Sequence, residues 1–336
     1  MTVFAPALSS LWRQIVDAGL DPEPLFAKHG VGKDEIFDSG ARVAYSLVDS
    51  LEAEVRSLVD DPFFGIREAE YFRPAHIGPL GFAWLASTNL NEALKRLQRY
   101  AKVINDHLEI DVNCNDEVIT VTMTDVGPSA DTYQRDLGSL AVLVRMCRFL
   151  CGDKWNPLGV SIAHDEPADT SYFFSYFRCP VIFGAASNHV LLDAVQAQER
   201  ITGADEHLAQ LNDHIVVRYL AQRSKEDVVS RARVAILDSL GDGGATEASV
   251  AETLHISSRQ LNRKLHDENT SFRALLMQSR LELAEQYIND STLSLTEISY
   301  LLGFSEASSF SRAFRRWTGV SPTQARAADG GSGHIP

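Results

Sequence analysis

The chain of 336 residues lacks most features that mark secreted or membrane proteins. Its four cysteines are too few for a disulfide framework at this length, which favours a reducing compartment. No apolar run is long enough to cross a bilayer. The N-terminus lacks the basic segment and apolar core of a signal peptide. We therefore expect a soluble cytoplasmic protein with no membrane partner.

Motifs of catalysis and of metal or cofactor binding are also missing. The sequence has no Walker-type glycine loop and no Gly-x-Ser-x-Gly elbow. Its ten histidines occur without a two-histidine helical pair or a Cys–His spacing, so we expect no structural zinc. Cys147 and Cys151 lie one helical turn apart, but their apolar neighbours favour buried thiols over a metal site. We predict neither an enzyme nor a bound cofactor.

Positive charge is scarce overall and concentrated in two short segments. The chain has 31 basic and 45 acidic residues, a net charge of −14. From Glu226 onward there are 11 basic and 14 acidic residues, but 256–275 has four against two and 305–326 has four against one. This balance argues against strong non-specific binding to nucleic acid. Local clusters nevertheless suffice for specific phosphate contacts.

The stretch from Ser294 to Pro322 has the pattern of two short amphipathic helices around a turn at Gly303. Apolar residues recur at helical spacing in both helices, at Leu295, Ile298, Leu301 and Leu302 and then at Phe310, Phe314 and Trp317. This is the plan of a helix-turn-helix, whose second helix lies in the DNA major groove.

Capping signals set the predicted boundaries of these two helices. Ser294 with Glu297 fits a capping box, and Ser305 is the predicted N-cap of the second helix. Gly319 and Pro322 lie where that helix should end.

The same pattern occurs a second time upstream. Val250, Leu254 and Ile256 match Ile298, Leu302 and Phe304 at an offset of 48. After one inserted residue, Arg263 matches Arg312. Ser257 with Gln260 again fits a capping box, and 272–289 is predicted as a long helix that spaces the two units. Two tandem units are far more specific than one, because single amphipathic helix pairs occur in many bundles.

The free faces of the second helices, near 258–267 and 306–317, carry the candidate DNA-binding residues. Their side chains donate hydrogen bonds to phosphates and base edges. In the first unit these are Ser258, Arg259, Gln260, Asn262, Arg263 and Lys264. In the second unit they are Ser308, Ser309, Ser311, Arg312, Arg315 and Arg316. The alternative, a solvated helix face in a plain bundle, does not explain why the pattern is doubled.

Residues 228 to 328 closely resemble the DNA-binding domain of the AraC/XylS family of bacterial transcription regulators. The resemblance is most specific from Gly303-Phe304-Ser305 to Ser321-Pro322. It implies that both second helices enter successive major-groove turns on one face of the DNA, and that RNA polymerase is a partner. By motif position it implies base-reading roles for Arg259, Asn262 and Arg263, and for Ala307, Ser308, Ser309 and Arg312. Ala307 cannot hydrogen-bond through its side chain but can meet a thymine methyl group.

The first 204 residues predict an α+β domain. Helical patterns cover 7–18, 24–28, 45–58, 88–105, 133–151 and 172–177. Strand patterns cover 108–114 and 118–124, a hairpin with its turn at Asn115-Asp116, and 158–163, 181–183 and 189–192. We expect an α+β domain over 1–204, a helical linker over 205–227, an all-α double helix-turn-helix domain over 228–328, and a disordered tail over 329–336.

The segment 77–94 is similar to an N-terminal effector-binding domain of the same family, often labelled arabinose-binding-like. This resemblance spans roughly residues 20 to 200 and implies a small-molecule effector and a homodimer. Tyr71, Arg73 and Trp84 flank the turn at 77–81 and are candidate pocket residues, although aromatic clusters often form plain core. The segment 1–225 carries a net charge of −11. That charge favours a cationic or zwitterionic effector, such as a basic amino acid whose carboxylate pairs with Arg73.

Together these features predict a sequence-specific DNA-binding transcription regulator that responds to an effector. The family resemblance implies an activator, although some members of the family repress, and the sequence does not separate the two outcomes. Two alternatives remain. A ligand-independent architectural DNA-binding protein leaves about 200 folded residues without a role. An enzyme with an appended DNA-binding module requires a nucleophile–base or metal constellation, which these residues do not show.

Overall fold

The computed structural model describes every residue except 60, 130–131, 224–227, 242–243, 289–292 and 331–336. It divides into two compact units, the first from Met1 to Tyr219 and the second from Leu220 to the C-terminus. The first mixes helices and strands and the second is helical, which confirms the predicted fold class. The borders expected at 204 and 228 stay predictions. Among the described helices, none has the length and apolar character of a membrane span.

The first unit contains the predicted strands and helices, together with two strands and three helices that the sequence patterns did not predict. Its helices are α1 (Ser9–Asp17), α2 (Pro22–Lys28), α3 (Lys33–Phe37), α4 (Tyr45–Leu58), α5 (Phe64–Tyr71), α6 (Pro79–Ala86), α7 (Leu90–Tyr100), α8 (Tyr133–Cys151) and α9 (Ser171–Phe177), and α10 (Glu206–Arg223) begins here. Its strands are β1 (Thr2–Phe4), β2 (Arg42–Ala44), β3 (Leu108–Cys114), β4 (Val118–Asp125), β5 (Gly159–Ser161), β6 (Val181–Ile182) and β7 (His189–Asp193). The helix expected over 88–105 ends at Tyr100 and is followed by a 3-10 turn.

The main sheet has the strand order β3-β4-β7-β5-β6, and only β5 and β6 run parallel. The predicted hairpin is confirmed, with Leu108 opposite Asp125 and Cys114 opposite Ile119. Its turn is fixed by the Asn115 side chain, whose Oδ1 accepts the backbone N–H of Val118 at 2.7 Å. Such a side-chain contact is the reason asparagine favours turns.

Helices α5 and α8 cross with almost no space between their backbones. A Cβ atom on Gly65 would lie 2.0 Å from the carbonyl oxygen of Gln134, and one on Gly138 would lie 3.2 Å from the carbonyl oxygen of Gly65. Glycine inside a helix normally lowers stability. Here it allows an approach that a larger residue would block, and α8 continues past this crossing with buried residues such as Cys147. Burial raises the pKa of that thiol well above its usual value.

The second unit is built from helices. These are α11 (Val228–Leu240), α12 (Glu247–Thr253), α13 (Ser258–Asp267), α14 (Phe272–Ile288), α15 (Leu295–Leu301), α16 (Ala307–Thr318) and α17 (Pro322–Gly330). Gly319 ends α16 with a φ of 83°, as predicted. Pro322, expected only as a stop signal, also begins α17, because proline lacks an N–H that the first turn of a helix does not use. Helix α17 includes two residues of the expected disordered tail, and 331–336 lie outside the described residues.

We predict that Gly65→Ala lowers the free energy of unfolding of the first unit by about 3 kcal/mol, because a methyl group would overlap the Gln134 carbonyl and push α5 from α8. Thermal unfolding followed by circular dichroism measures the change. Gly159→Ala is the matched control, since its Cβ would meet its nearest neighbour at 3.6 Å, an ordinary contact distance. Equal melting temperatures for both variants and the wild type would contradict the crossing.

Candidate nucleic-acid interface

The second unit contains two copies of a three-helix repeat, and each copy includes one helix-turn-helix. Helices α11, α12 and α13 form the first, and α14, α15 and α16 form the second. The buried residues of the leading helices keep the offset of 48, since Ala235, Ile236 and Leu240 correspond to Leu283, Ala284 and Ile288. The predicted spacer helix, α14, is therefore also the leading helix of the second three-helix repeat.

Local hydrogen bonds define where three of these helices begin. The predicted capping boxes at Ser257–Gln260 and Ser294–Glu297 are both confirmed. In the first three-helix repeat, Thr246 is the counterpart of Ser294 and caps α12 in the same way. A capping box satisfies backbone N–H groups that the first turn of a helix leaves free.

The predicted N-cap Ser305 is wrong. Helix α16 begins at Ala307 after Glu306, which makes no side-chain capping hydrogen bond. The one residue inserted between α15 and α16 accounts for the difference, because it makes Glu306 rather than Ser305 the counterpart of the Ser257 cap.

The two turns have the same backbone shape but different residues. Gly303 has a φ of 70°, and His255, its counterpart in the first turn, has a φ of 56°. A residue with a Cβ atom pays a steric cost at positive φ, whereas glycine does not. The first turn is therefore the more strained of the two.

Arg280 of α14 supports the second turn. Its Nε donates to the Leu302 carbonyl at 2.9 Å and its Nη2 to the Gly303 carbonyl at 3.0 Å. Its guanidinium carbon lies 4.4 Å from the centre of the Phe304 ring. In the first three-helix repeat, Arg231 reaches the equivalent carbonyl, that of Leu254, at 3.5 Å. Helix-end carbonyls need such donors, and this role of Arg280 was not anticipated from the sequence.

Helix α13 separates an apolar face from a charged one. Leu261 and Leu265 are buried, whereas Arg259, Gln260, Asn262, Arg263 and Lys264 are exposed and Ser258 is half-buried. The three cationic side chains form no ion pair with any described residue. Asn262 donates to Glu247 Oε1 at 2.6 Å, and Gln260 uses its Oε1 in the cap, which leaves its amide NH₂ free.

Helix α16 has the same division. Phe310 and Phe314 are buried, whereas Ser308, Arg312, Arg315 and Arg316 are exposed and Ala307, Ser309 and Ser311 are half-buried. Arg312 donates to Ser309 Oγ at 3.1 Å, so the two side chains are held together. In α15, Leu301 was expected on the apolar face but is 40% exposed, whereas Ile298 and the following Leu302 are buried and Leu295 packs against the same core.

The three candidate pocket residues of the first unit do not share one environment. Trp84 is fully buried, and its Nε1 donates to the Met146 carbonyl at 3.0 Å. Arg73 is exposed and donates to the Phe72 carbonyl at 2.8 Å. Tyr71 is half-buried, and burial raises its pKa. The structure therefore brings Trp84 into the core and leaves Arg73 at the surface.

A repeated helix-turn-helix with two exposed basic helices defines the class of DNA-binding transcription regulators. Residues 19–201 match the arabinose-binding domain of AraC transcription regulators, and residues 250–328 match a helix-turn-helix domain. The chain belongs to the AraC family of transcription regulators.

Relatives of similar length support this assignment. The Ornithine utilization regulator of Pseudomonas aeruginosa is 28% identical over 320 residues, which is 90% of this chain and 93% of that protein. The regulator VirS of Mycobacterium tuberculosis is 28% identical over 326 residues, 94% of each chain. The crystal structure of the transcriptional regulator CdpR from Pseudomonas aeruginosa covers 94% of this chain and 98% of its own, with a TM-score of 0.50 and 21% identity, and shows the shared fold. These relatives are regulators, which points away from an enzyme.

We predict that His255→Gly raises the free energy of unfolding of the compact second unit, which begins at Leu220, by about 0.5–1 kcal/mol. Relief of the positive-φ strain at this turn exceeds the added entropy of the unfolded chain. The histidine is exposed, so its removal costs little packing. Thermal unfolding measures the change. His255→Ala keeps a Cβ atom and should bring no gain; stabilisation by both variants would argue against strain at this turn.

Proposed function

We propose that this protein is an effector-responsive transcription activator that binds promoter DNA through α13 and α16. The observation that carries the proposal is the pair of exposed recognition faces, whose cationic side chains form no ion pair with any described residue. Arg233, by contrast, is paired with Glu282, and Arg280 is engaged by backbone carbonyls. Unpaired surface cations are available to phosphates and base edges.

Different residues of the two faces are proposed for different contacts. Arg263 and Arg312 occupy matching positions and are proposed to read base edges, together with Arg259, Asn262, Ala307, Ser308 and Ser309. Ser258, Gln260, Lys264, Arg315 and Arg316 are proposed for phosphate or flanking contacts. Arginine pairs well with guanine because its two N–H groups match two acceptors in the major groove.

The first unit is the proposed sensor. The match to the arabinose-binding domain of the family supports a small-molecule effector. The net charge of −11 over residues 1–225 favours a cationic or zwitterionic one. One relative is the Ornithine utilization regulator of Pseudomonas aeruginosa, so a basic amino acid or a related amine is the proposed effector class. Effector binding would shift an equilibrium between DNA-competent and incompetent states, and the activated form is proposed to contact RNA polymerase in the bacterial cytoplasm.

A ligand-independent architectural role is the competing function. It predicts DNA binding that no effector changes, and no activation of a reporter gene. Target sites can be identified by sequencing genomic DNA that the protein retains, and one such fragment then serves as a probe for affinity with and without candidate effectors. An effect of any amine on this affinity favours the regulator.

We predict that Arg263→Ala and Arg312→Ala each weaken binding to the target site by ~1–3 kcal/mol without lowering the melting temperature. Both side chains are exposed, so their truncation leaves the core intact. Fluorescence anisotropy with a labelled target fragment measures the affinity. Arg273→Ala, an exposed arginine of α14, is the control and should bind as the wild type does. Wild-type affinity in both recognition-helix variants would remove the assigned roles.

We also propose a homodimer formed through the first unit. Helix α10 presents Leu208, Leu211 and Ile215 at helical spacing, and each is about half exposed, at 47%, 47% and 50%. A second copy of this chain would cover these apolar side chains.

We predict that Leu211→Lys converts the dimer to a monomer, because a buried ammonium at the interface lacks a partner. Light scattering reports the mass. Leu58→Lys, at a 51% exposed leucine of α4, should leave the mass unchanged. A monomeric wild-type chain, both free and on DNA, would exclude the dimer.

A further inference from the structure

The first unit contains a partly open cavity of about 160 Å³ between its helices and the hairpin β3–β4. Part of its wall is apolar, including Phe72, Ile77, Val142, Leu143 and Met146. Neither Tyr71 nor Arg73 nor Trp84 lines it. A cavity of about 150 Å³ accommodates a molecule the size of benzene, so the space suits a small organic ligand.

The polar part of the wall carries more negative than positive charge. Glu52, Glu68 and Asp125 line it, against the single guanidinium of Arg135. Asp125 Oδ2 accepts hydrogen bonds from the Tyr45 hydroxyl at 3.1 Å and from Asn105 at 3.2 Å.

Arg135 is already occupied by protein groups. Its Nη2 donates to Glu52 Oε2 at 2.7 Å and to Asp49 Oδ1 at 2.8 Å. Its Nε also contacts Glu52, and its Nη1 contacts the Tyr45 hydroxyl. A ligand carboxylate would have to compete with these acidic partners for the guanidinium, so the wall does not favour an anion.

Glu68 differs from the other carboxylates because no cation pairs with it. Its Oε1 accepts a hydrogen bond from Ser10 Oγ at 2.7 Å, and it forms no ion pair with any described residue. Burial raises the pKa of this carboxyl to about 7. The groups that face it are Ser10 of α1, Glu52 of α4 and Arg135 of α8. A half-buried carboxyl without a counter-ion at the edge of a cavity is a place where a ligand cation gains a partner.

We propose that this cavity binds a small organic cation, which places a primary ammonium group against Glu68 and its alkyl chain along Val142, Leu143 and Met146. The ammonium supplies the three N–H donors and the positive charge that this part of the wall lacks. The regulatory meaning of the site rests on the proposed function, whereas binding itself does not. A diamine and a diamino acid share the required group, and the experiment separates them.

Calorimetric titration of the full chain with 1,4-diaminobutane, ornithine and 1,4-butanediol tests the site. We expect one or both amines to bind and the uncharged diol, which has the same shape as the diamine, not to bind. Binding of 1,4-diaminobutane alone assigns a diamine, and preference for ornithine assigns a diamino acid. Absence of binding by both amines, or equal binding of the diol, overturns the proposal.

Variants locate the ammonium within the cavity. Glu68→Gln keeps the shape of the side chain and should weaken amine binding at least tenfold. Val142→Phe fills the cavity without changing its charge and should abolish binding, with ligand-free melting as the check of its fold. Glu117→Gln removes an exposed carboxylate from the hairpin turn and should leave binding unchanged. Wild-type binding by Glu68→Gln overturns the assignment.

The pH dependence supplies a second readout. Both amino groups of 1,4-diaminobutane remain charged from pH 6 to pH 8, while Glu68 changes from mostly neutral to mostly ionised. Affinity should therefore rise about tenfold over this range in the wild type and remain nearly constant in Glu68→Gln. Equal pH profiles for the two proteins would contradict the role of Glu68.

Failure of this site and failure of the proposed function give different results. If amines bind but leave DNA affinity unchanged, the cavity is a cation site and the effector role fails. If DNA binding is specific and no amine binds, the regulator stands and the cavity assignment fails.

Discussion

The close crossing of α5 and α8 is the constraint on which the structure of the first unit depends. Glycine at 65 and at 138 lets the two backbones meet, and the same approach places Glu68 of one helix near Arg135 of the other. Helix α8 also lines the cavity with Val142, Leu143 and Met146. A wider crossing would move Glu68 away from this apolar wall, so the packing of the two helices and the proposed cation site share one geometric origin.

Arginine has two distinct uses in this chain, and the difference follows from its neighbours. Arg135 and Arg280 are half-buried, and their N–H groups are engaged by carboxylates or by backbone carbonyls. Arg263 and Arg316 are exposed and form no ion pair with any described residue. Guanidinium groups of the first kind hold elements in place, because a buried cation is tolerated only with partners. Those of the second kind remain available to a polyanion.

Local features made the DNA-binding unit predictable, whereas the cavity of the first unit depends on contacts between residues far apart in the sequence. A capping box or a glycine turn is written in four or five neighbouring residues, as at Ser257 or Gly303. The Glu52–Arg135 pair joins residues 83 positions apart, and helical periodicity does not encode such a pairing. Trp84 was expected beside a ligand, but an apolar cluster does not reveal that its indole N–H has a carbonyl partner in the core. The glycines inside the helices, at 65 and 138, were the available sequence signal for the close crossing of α5 and α8.

The single residue inserted in the second turn determines which positions of α13 and α16 correspond when residues are exchanged between the two helices. An α-helix turns by about 100° per residue, so a transplant aligned on the turns would rotate every side chain by that angle. The buried pair Leu261 and Leu265 corresponds to Phe310 and Phe314 at a shift of 49, not 48. A chimaera designed on the shorter shift would place Asn262 at the buried position of Phe310 and move Leu261 to the half-buried position of Ser309. The longer shift keeps each side chain on its own face.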